Sequence, residues 1–165
     1  MAALGWFRNQ RVELLSGDVL QMSPQRPTHS QAVGLAQYEL DRAFGPGFWI
    51  RVQMPLDLGD STELEPDLAV VRGAPRDYPR HPRTALLLVE ASETTLDYDS
   101  LVKAEAYARA GIEDYWIIDI VNRQVRVYRG PSSHGYTQVT IHEAGESISP
   151  LACPNAGIAV DDLLP

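Results

Sequence analysis

The apolar positions change period several times along this chain, and each change predicts an element. Two short apolar-rich runs, 11–15 and 18–22, flank Ser16-Gly17, a two-residue turn signal, and predict an N-terminal β-hairpin. Ser23, Pro24 and Pro27 break that pattern. Over 29–44, Val33, Ala36, Leu40 and Phe44 recur at helical spacing until Gly45-Pro46-Gly47, which predicts a first helix. Phe48, Ile50, Val52, Met54 and Leu56 then alternate with Trp49, Arg51, Gln53 and Pro55, the period of a strand with two different faces. Residues 57–65 read as a polar loop, 67–71 as the next strand, and 72–83 as a loop punctuated by Pro75, Pro79 and Pro82.

Residues 85–89 are an unbroken apolar run, the mark of a central strand covered on both faces, and the run ends on Glu90. A second helix is predicted over 99–110, with Leu101, Ala104 and Ala108 as its apolar side and Gly111 where a C-terminal cap belongs. Another buried strand follows at 115–120. Val125 and Val127 alternate with Arg126 and Tyr128 after a turn at Asn122-Arg123, so these two runs predict a hairpin, and 136–141 adds an edge strand before a tail marked by Pro and Gly. The expected fold is α/β: a central mixed, strongly curved sheet with two α-helices packed on it and the N-terminal hairpin beside it, in a single domain over 1–165.

Composition changes this picture in two ways. The lone Cys153 has no internal partner, which makes a reducing cytoplasm the default. The 14 Lys and Arg against 22 Asp and Glu give a formal net charge of -8. Proteins that grip duplex DNA through many phosphates are usually basic, so this balance weighs against tight nonspecific binding by a monomer while leaving room for a local basic surface. Trp6 and Phe7 are followed by Arg8, Asn9 and Gln10 in place of the apolar stretch of a secretory signal, and no apolar run approaches bilayer length. A soluble, cytoplasmic protein with no membrane partner is expected.

Two carboxylates carry the candidate chemistry. Asp67 starts one apolar strand and Glu90 ends the next, a spacing that holds two short strands and one long loop. If the strands pair antiparallel, both acids converge on one sheet edge. The plainer alternative is that Glu90 begins a loop and caps something. Asp99, Lys103 and Tyr107 lie at i, i+4 and i+8, a stripe distinct from the Leu101 side, from which the lysine reaches back toward that edge. Its alternative is a solvated lysine paired with Asp99. Two carboxylates holding a hard cation, with an ammonium nearby, suit metal-assisted phosphodiester hydrolysis, and all-oxygen ligands suit Mg2+ or Mn2+. His29, His81, His134 and His142 show no zinc spacing. The loop carrying Arg72, Arg76, Arg80 and Arg83 is expected to lie beside the site and contact phosphates, with Tyr78 available to stack on a base; an ordinary solvated loop is the alternative.

Glu65-Pro66-Asp67-Leu68-Ala69-Val70-Val71, then Leu87-Leu88-Val89-Glu90-Ala91-Ser92, then Lys103 with Tyr107, Ala108 and Gly111, then Glu113-Asp114-Tyr115-Trp116-Ile117-Ile118-Asp119 follow in order. This succession resembles the putative restriction endonuclease family of bacteria, placed in the PD-(D/E)xK phosphodiesterase superfamily. The likeness extends to Glu13-Leu14, Gly17, Met22-Ser23-Pro24 and His29. It implies a restriction-endonuclease-like core, with Asp67 as first acidic metal ligand, Glu90 as second and the Ala91 carbonyl as a further one. The superfamily's lysine normally stands two residues after the second acid, where this chain has Ser92. By the resemblance, that role moves to Lys103 on the following helix. Glu13 or Glu65 would complete the metal shell, and His29 would orient water, contact a phosphate, or simply hold the helix start. The function implied is a Mg2+-dependent endonuclease acting on DNA as a homodimer. An inactive nucleic-acid-binding or protein-interaction module of the same fold, or a hydrolase of RNA or a small phosphodiester, are the readings set against it.

Overall fold

The unbroken apolar runs become the middle of a six-stranded sheet in the computed structural model, which describes residues 12–22, 25–59 and 61–165. The strands are β1 (Val12–Leu15), β2 (Asp18–Gln21), β3 (Phe48–Val52), β4 (Leu56–Gly59), β5 (Thr62–Leu64), β6 (Leu68–Arg72), β7 (Leu87–Ser92), β8 (Asp114–Asp119), β9 (Gln124–Ser132), β10 (Gly135–Glu143), β11 (Ser147–Ile148) and β12 (Ile158–Ala159). Helix α1 spans Pro27–Phe44; a π-helical turn, Tyr98–Lys103, runs directly into α2, Ala104–Arg109. The large sheet has the order β10-β9-β8-β7-β6-β3. It is mixed because β7 and β8 pair parallel while its other neighbours pair antiparallel. A parallel pair needs a crossover, and the π turn with α2 supplies it.

Strand alternation sorts the core into two layers. Leu68, Val70, Leu87, Val89, Trp116 and Ile118 face Ala32, Val33, Ala36 and Leu40 of α1. Ala69, Val71, Leu88, Tyr115 and Ile117 face the opposite way, onto Ala104 and Tyr107 and onto Leu56 and Leu64. The expected α/β architecture with a mixed sheet and two helices is therefore present, one helix on each face. Among the described residues, no helix is long and apolar enough to cross a membrane.

The N-terminal hairpin is present as β1 and β2, turning through Ser16 and Gly17 at φ 51 and 92. These left-handed angles match the twist of the flanking strands. The predicted start at Arg11, the break at Ser23 and Pro24, and the reading of Trp6 to Gln10 lie outside the described residues. The predicted strand over 48–56 is two strands. Gln53 takes φ 50, a left-handed conformation, and with Pro55 close behind the ladder ends at Val52. The chain re-enters as β4 in a separate four-stranded sheet, β2-β1-β5-β4, so the expected polar loop over 57–65 is a hairpin of that sheet.

The second helix also departs from expectation. The wider π turn carries more residues per revolution than an α-helix, so Leu101 rotates outward and is 67% exposed, while Asp99, Lys103 and Tyr107 align as one buried stripe. Leu101 is therefore not part of the core side; Ala104, Tyr107 and Ala108 are.

The start of β8 is tied to β9 and to the chain at Leu151 by a fully buried carboxylate. Asp114 accepts hydrogen bonds from Trp116 Nε1 (2.9 Å), Arg129 Nε (2.9 Å) and the Leu151 amide (2.8 Å). Replacing it leaves a half-buried guanidinium and a buried indole N–H without partners. Asp114→Ala is expected to cost about 3 kcal/mol of folding stability, read in urea unfolding as a lower midpoint with an unchanged m-value.

Candidate active site

The register of the β6–β7 pair places the acids. Leu68 lies opposite Val89 and Val70 opposite Leu87, so Asp67 and Glu90 meet at the open end of the pair. The Asp67 amide donates to Glu90 Oε2 at 3.3 Å. Both carboxylates lie at the floor of a recess of about 800 Å3, together with Glu13, Asp99 and Lys103. Every one of these five residues is buried, none more than 7% exposed.

Each carboxylate is oriented by several donors. Asp67 Oδ1 accepts from His29 Nε2 (3.0 Å) and Gln53 Nε2 (3.1 Å), and Oδ2 accepts from the Ala91 amide (2.9 Å). Glu90 Oε1 accepts from Lys103 Nζ (2.9 Å) and from the Tyr107 hydroxyl (2.8 Å). Lys103 Nζ also lies 3.2 Å from Glu13 Oε1, which accepts the Glu65 amide at 2.8 Å. The ammonium therefore ties β1 to β7 through the π turn. Asp99 accepts from the Thr95 hydroxyl at 2.6 Å, and the Thr95 and Ser92 hydroxyls lie 3.3 Å apart.

Burial and crowding set the charge states. Desolvation drives Glu90 well above the ordinary carboxylate range, against the opposing charge of Lys103 and with Asp67, Asp99 and Glu13 adding to the rise. Asp99 is likewise raised by burial. Burial alone would favour a neutral Lys103, but Glu90, Glu13 and Asp99 outweigh it and hold the ammonium charged. Asp67 goes the other way: burial would raise it, yet the His29 hydrogen bond and charge, the Ala91 amide and Gln53 bring it below its ordinary value. His29 is raised, first by its hydrogen bond to Asp67, against desolvation, with the Ala91 backbone also favouring the protonated ring. Burial pushes the Tyr98 phenol up to about 12; its hydroxyl is buried without a partner among the described residues, and its ring lies 5.8 Å from Lys103 Nζ.

The fold thus brings together Asp67, Glu90, Lys103, Glu13, His29 and the Ala91 backbone. Ser92 stands behind the floor, in the Thr95–Asp99 hydroxyl chain, and Glu65 reaches Glu13 through its amide. Lys103 takes Glu90 and Glu13 as its close partners and is buried, unlike the solvated lysine paired with Asp99 of the alternative reading. The arginine loop is misplaced in the sequence reading. It joins the two strands at the end opposite the one where Asp67 and Glu90 meet, as an antiparallel connection must, and Arg72, Arg76, Tyr78, Arg80 and Arg83 do not line the recess. Tyr78 instead donates to the Arg72 carbonyl at 2.6 Å and packs on Trp49, while Arg83 lies 3.7 Å from Asp57.

Sequence reasoning missed Gln53, whose left-handed backbone lets its amide donate to the Asp67 carbonyl (3.0 Å) while its side chain holds Oδ1. It also missed Tyr98 and Arg26 in the recess wall, and the Tyr107 hydroxyl on Glu90.

Two comparisons bear on this chain. A family model described as "Uma2: Putative restriction endonuclease" matches residues 6–161. The fold is similar to a crystal structure described as a putative nuclease from Anabaena variabilis, with TM-score 0.72 and 15% identity, covering 93% of this chain and 89% of that one. At such identity the likeness speaks for the fold. No curated protein gives a significant match.

Two outcomes test this geometry. Gly tolerates the left-handed angle that costs other residues about 1 kcal/mol. Gln53→Ala is therefore expected to be less stable than Gln53→Gly by about that amount in urea unfolding, although both lose the bond to Asp67. The His29 ring, followed by NMR in metal-free buffer, is expected to titrate above its ordinary value of 6.5, returning toward it in Asp67→Asn. His29 is raised, so its share of the pair's stabilisation is full below 6.5 and fades as pH rises through the folded value; Asp67 is lowered, so its share is full above 3.8 and fades as pH falls through the folded value. The pair should thus stabilise most between those limits.

Proposed function

The chain belongs to the Uma2 family, whose model is described as a putative restriction endonuclease, and from that membership together with the recess we propose that it hydrolyses phosphodiester bonds in DNA with a divalent metal. The observation that carries the reading is the convergence of Asp67 and Glu90 at the open end of β6 and β7, with the Lys103 ammonium 2.9 Å from Glu90.

The donor set fits a hard cation. Asp67 and Glu90 offer carboxylate oxygens from adjacent strands, and the Ala91 backbone, which favours the protonated His29 ring, would add its carbonyl. Among the described residues no three His, Cys, Asp or Glu side chains form a complete metal cage. Mg2+ is commonly held by one or two carboxylates plus water and substrate phosphate, so two acids suffice. When bound, Mg2+ or Mn2+ would polarise a phosphoryl oxygen and lower the pKa of the attacking water.

The protein's own groups hold this site in shape. Gln53, His29 and the Ala91 amide fix both oxygens of Asp67, so the carboxylate cannot rotate away from the floor. Tyr107 and Lys103 hold Oε1 of Glu90, and the Asp67 amide holds its Oε2. Lys103 also adds a positive charge where negative charge gathers on the phosphate in the transition state. Burial of the floor strengthens each of these interactions relative to water.

Incubation with circular single-stranded and supercoiled plasmid DNA, with Mg2+ or Mn2+, is expected to give internal cuts in at least one of the two. Asp67→Asn and Glu90→Gln should lower the rate about 100- to 1,000-fold, and Lys103→Met by a similar factor, each checked by circular dichroism for retained fold. Wild-type protein that leaves both DNAs intact with either metal would sink this reading.

A further inference from the structure

We propose that the recess takes an unpaired nucleic-acid strand and excludes paired duplex; this rests on the nuclease reading above for its chemistry. Three independent features lead there. The first is depth. Asp67 and Glu90 are 7% and 3% exposed and lie at the floor of the recess. A duplex carries its phosphates on a convex surface with the complementary strand beside them, so it cannot seat one at such a floor without the walls striking its neighbours. A single strand, whose backbone bends freely and whose bases splay apart, can enter.

The second feature is charge. Among the described residues that line the recess, each basic group is already matched: Lys103 by Glu13 and Glu90, His29 by Asp67, and Arg26 by Glu93 at 3.5 Å. Gripping a duplex depends on many phosphate contacts from uncommitted lysines and arginines. The cations that could supply them in the arginine loop lie at the far end of the β6–β7 pair. With a chain charge of -8, long-range attraction to a stiff polyanion is also missing.

The third feature is the wall. Besides the acids, the recess is lined by Leu20, Met22, Pro27 and Tyr98, none of them fully buried. Unpaired bases bind such surfaces by stacking, which is tolerant of sequence and needs no free cation. Tyr98 supplies the aromatic face, and its buried hydroxyl has no hydrogen-bond partner among the described residues.

A forked DNA with one duplex arm and two unpaired arms, end-labelled on each strand and incubated with Mn2+, tests this. Cuts are expected in the unpaired arms at a rate at least about tenfold above those in the duplex arm. Equal or faster cutting within the duplex overturns the inference and leaves the nuclease reading standing. No cutting anywhere overturns the nuclease reading, and binding then decides the inference. For that, anisotropy of a labelled oligothymidylate is compared with a blunt duplex of the same length in Ca2+. The single strand should bind about tenfold tighter, with a salt slope corresponding to about one or two phosphates; duplex binding that is equal or tighter overturns the inference. Tyr98→Leu should weaken the oligothymidylate about tenfold while Tyr98→Phe stays near wild type; unchanged affinity in Tyr98→Leu removes the stacking wall and overturns the inference.

Discussion

A buried ammonium between two buried carboxylates holds this structure's working end together. Lys103 lies 2.9 Å from Glu90 and 3.2 Å from Glu13, and all three side chains are no more than 5% exposed. Charges so placed lose hydration that their mutual attraction only partly restores, and removing a single member leaves an uncompensated ion. Because Glu13 belongs to β1 and Glu90 to β7, the same contact fastens the small sheet to the large one. Asp67 and Asp99 crowd the same floor, so the lysine also offsets repulsion among four acids. The hairpin, the central strands and the π turn cannot be altered separately here.

The π turn follows from that demand. An ordinary α-helix would place Asp99, Lys103 and Tyr107 on a slowly drifting stripe, since 3.6 residues per turn does not bring every fourth residue back to the same angle. Widening the first turns removes the drift and aims all three at the floor. Its cost is visible in Leu101, an apolar side chain turned out to water. π turns are frequent at functional sites, and this one lies against the candidate site.

The sequence disclosed the parts of this site that depend on strand pairing. Asp67 and Glu90 meet because two short apolar runs joined by one loop pair antiparallel, and that much could be argued from period and spacing alone. The same premise also required the arginine loop to close the opposite end of the pair, so its assignment beside the acids contradicted the topology already assumed. Other departures had no clear sequence signal. Gln53 adopts a left-handed angle that no propensity favours, because its backbone and side chain both serve Asp67. The second partner of Lys103, beside Glu90, is Glu13, more than 80 residues away on β1, and nothing in local spacing points to it. A strict helical period puts Leu101 on the core side, but the period changes across this segment and the side chain turns out to solvent.

Floor and mouth are built to different standards, and this governs how any substitution here must be read. The floor acids sit at the ends of central strands, where Asp67 and Glu90 each accept three hydrogen bonds. Breaking a buried ion pair costs about 3–5 kcal/mol, a large part of the roughly 5–15 kcal/mol that holds a domain folded. Loss of activity on deleting Lys103 is therefore ambiguous between chemistry and stability, and shape-conserving changes such as Glu90→Gln are the informative ones. At the mouth, Gln21 and Gln25 are exposed and Leu20 and Met22 partly so. Substitutions there remove little buried contact, so a change in what the recess accepts, without a change in folding stability, points to the substrate path.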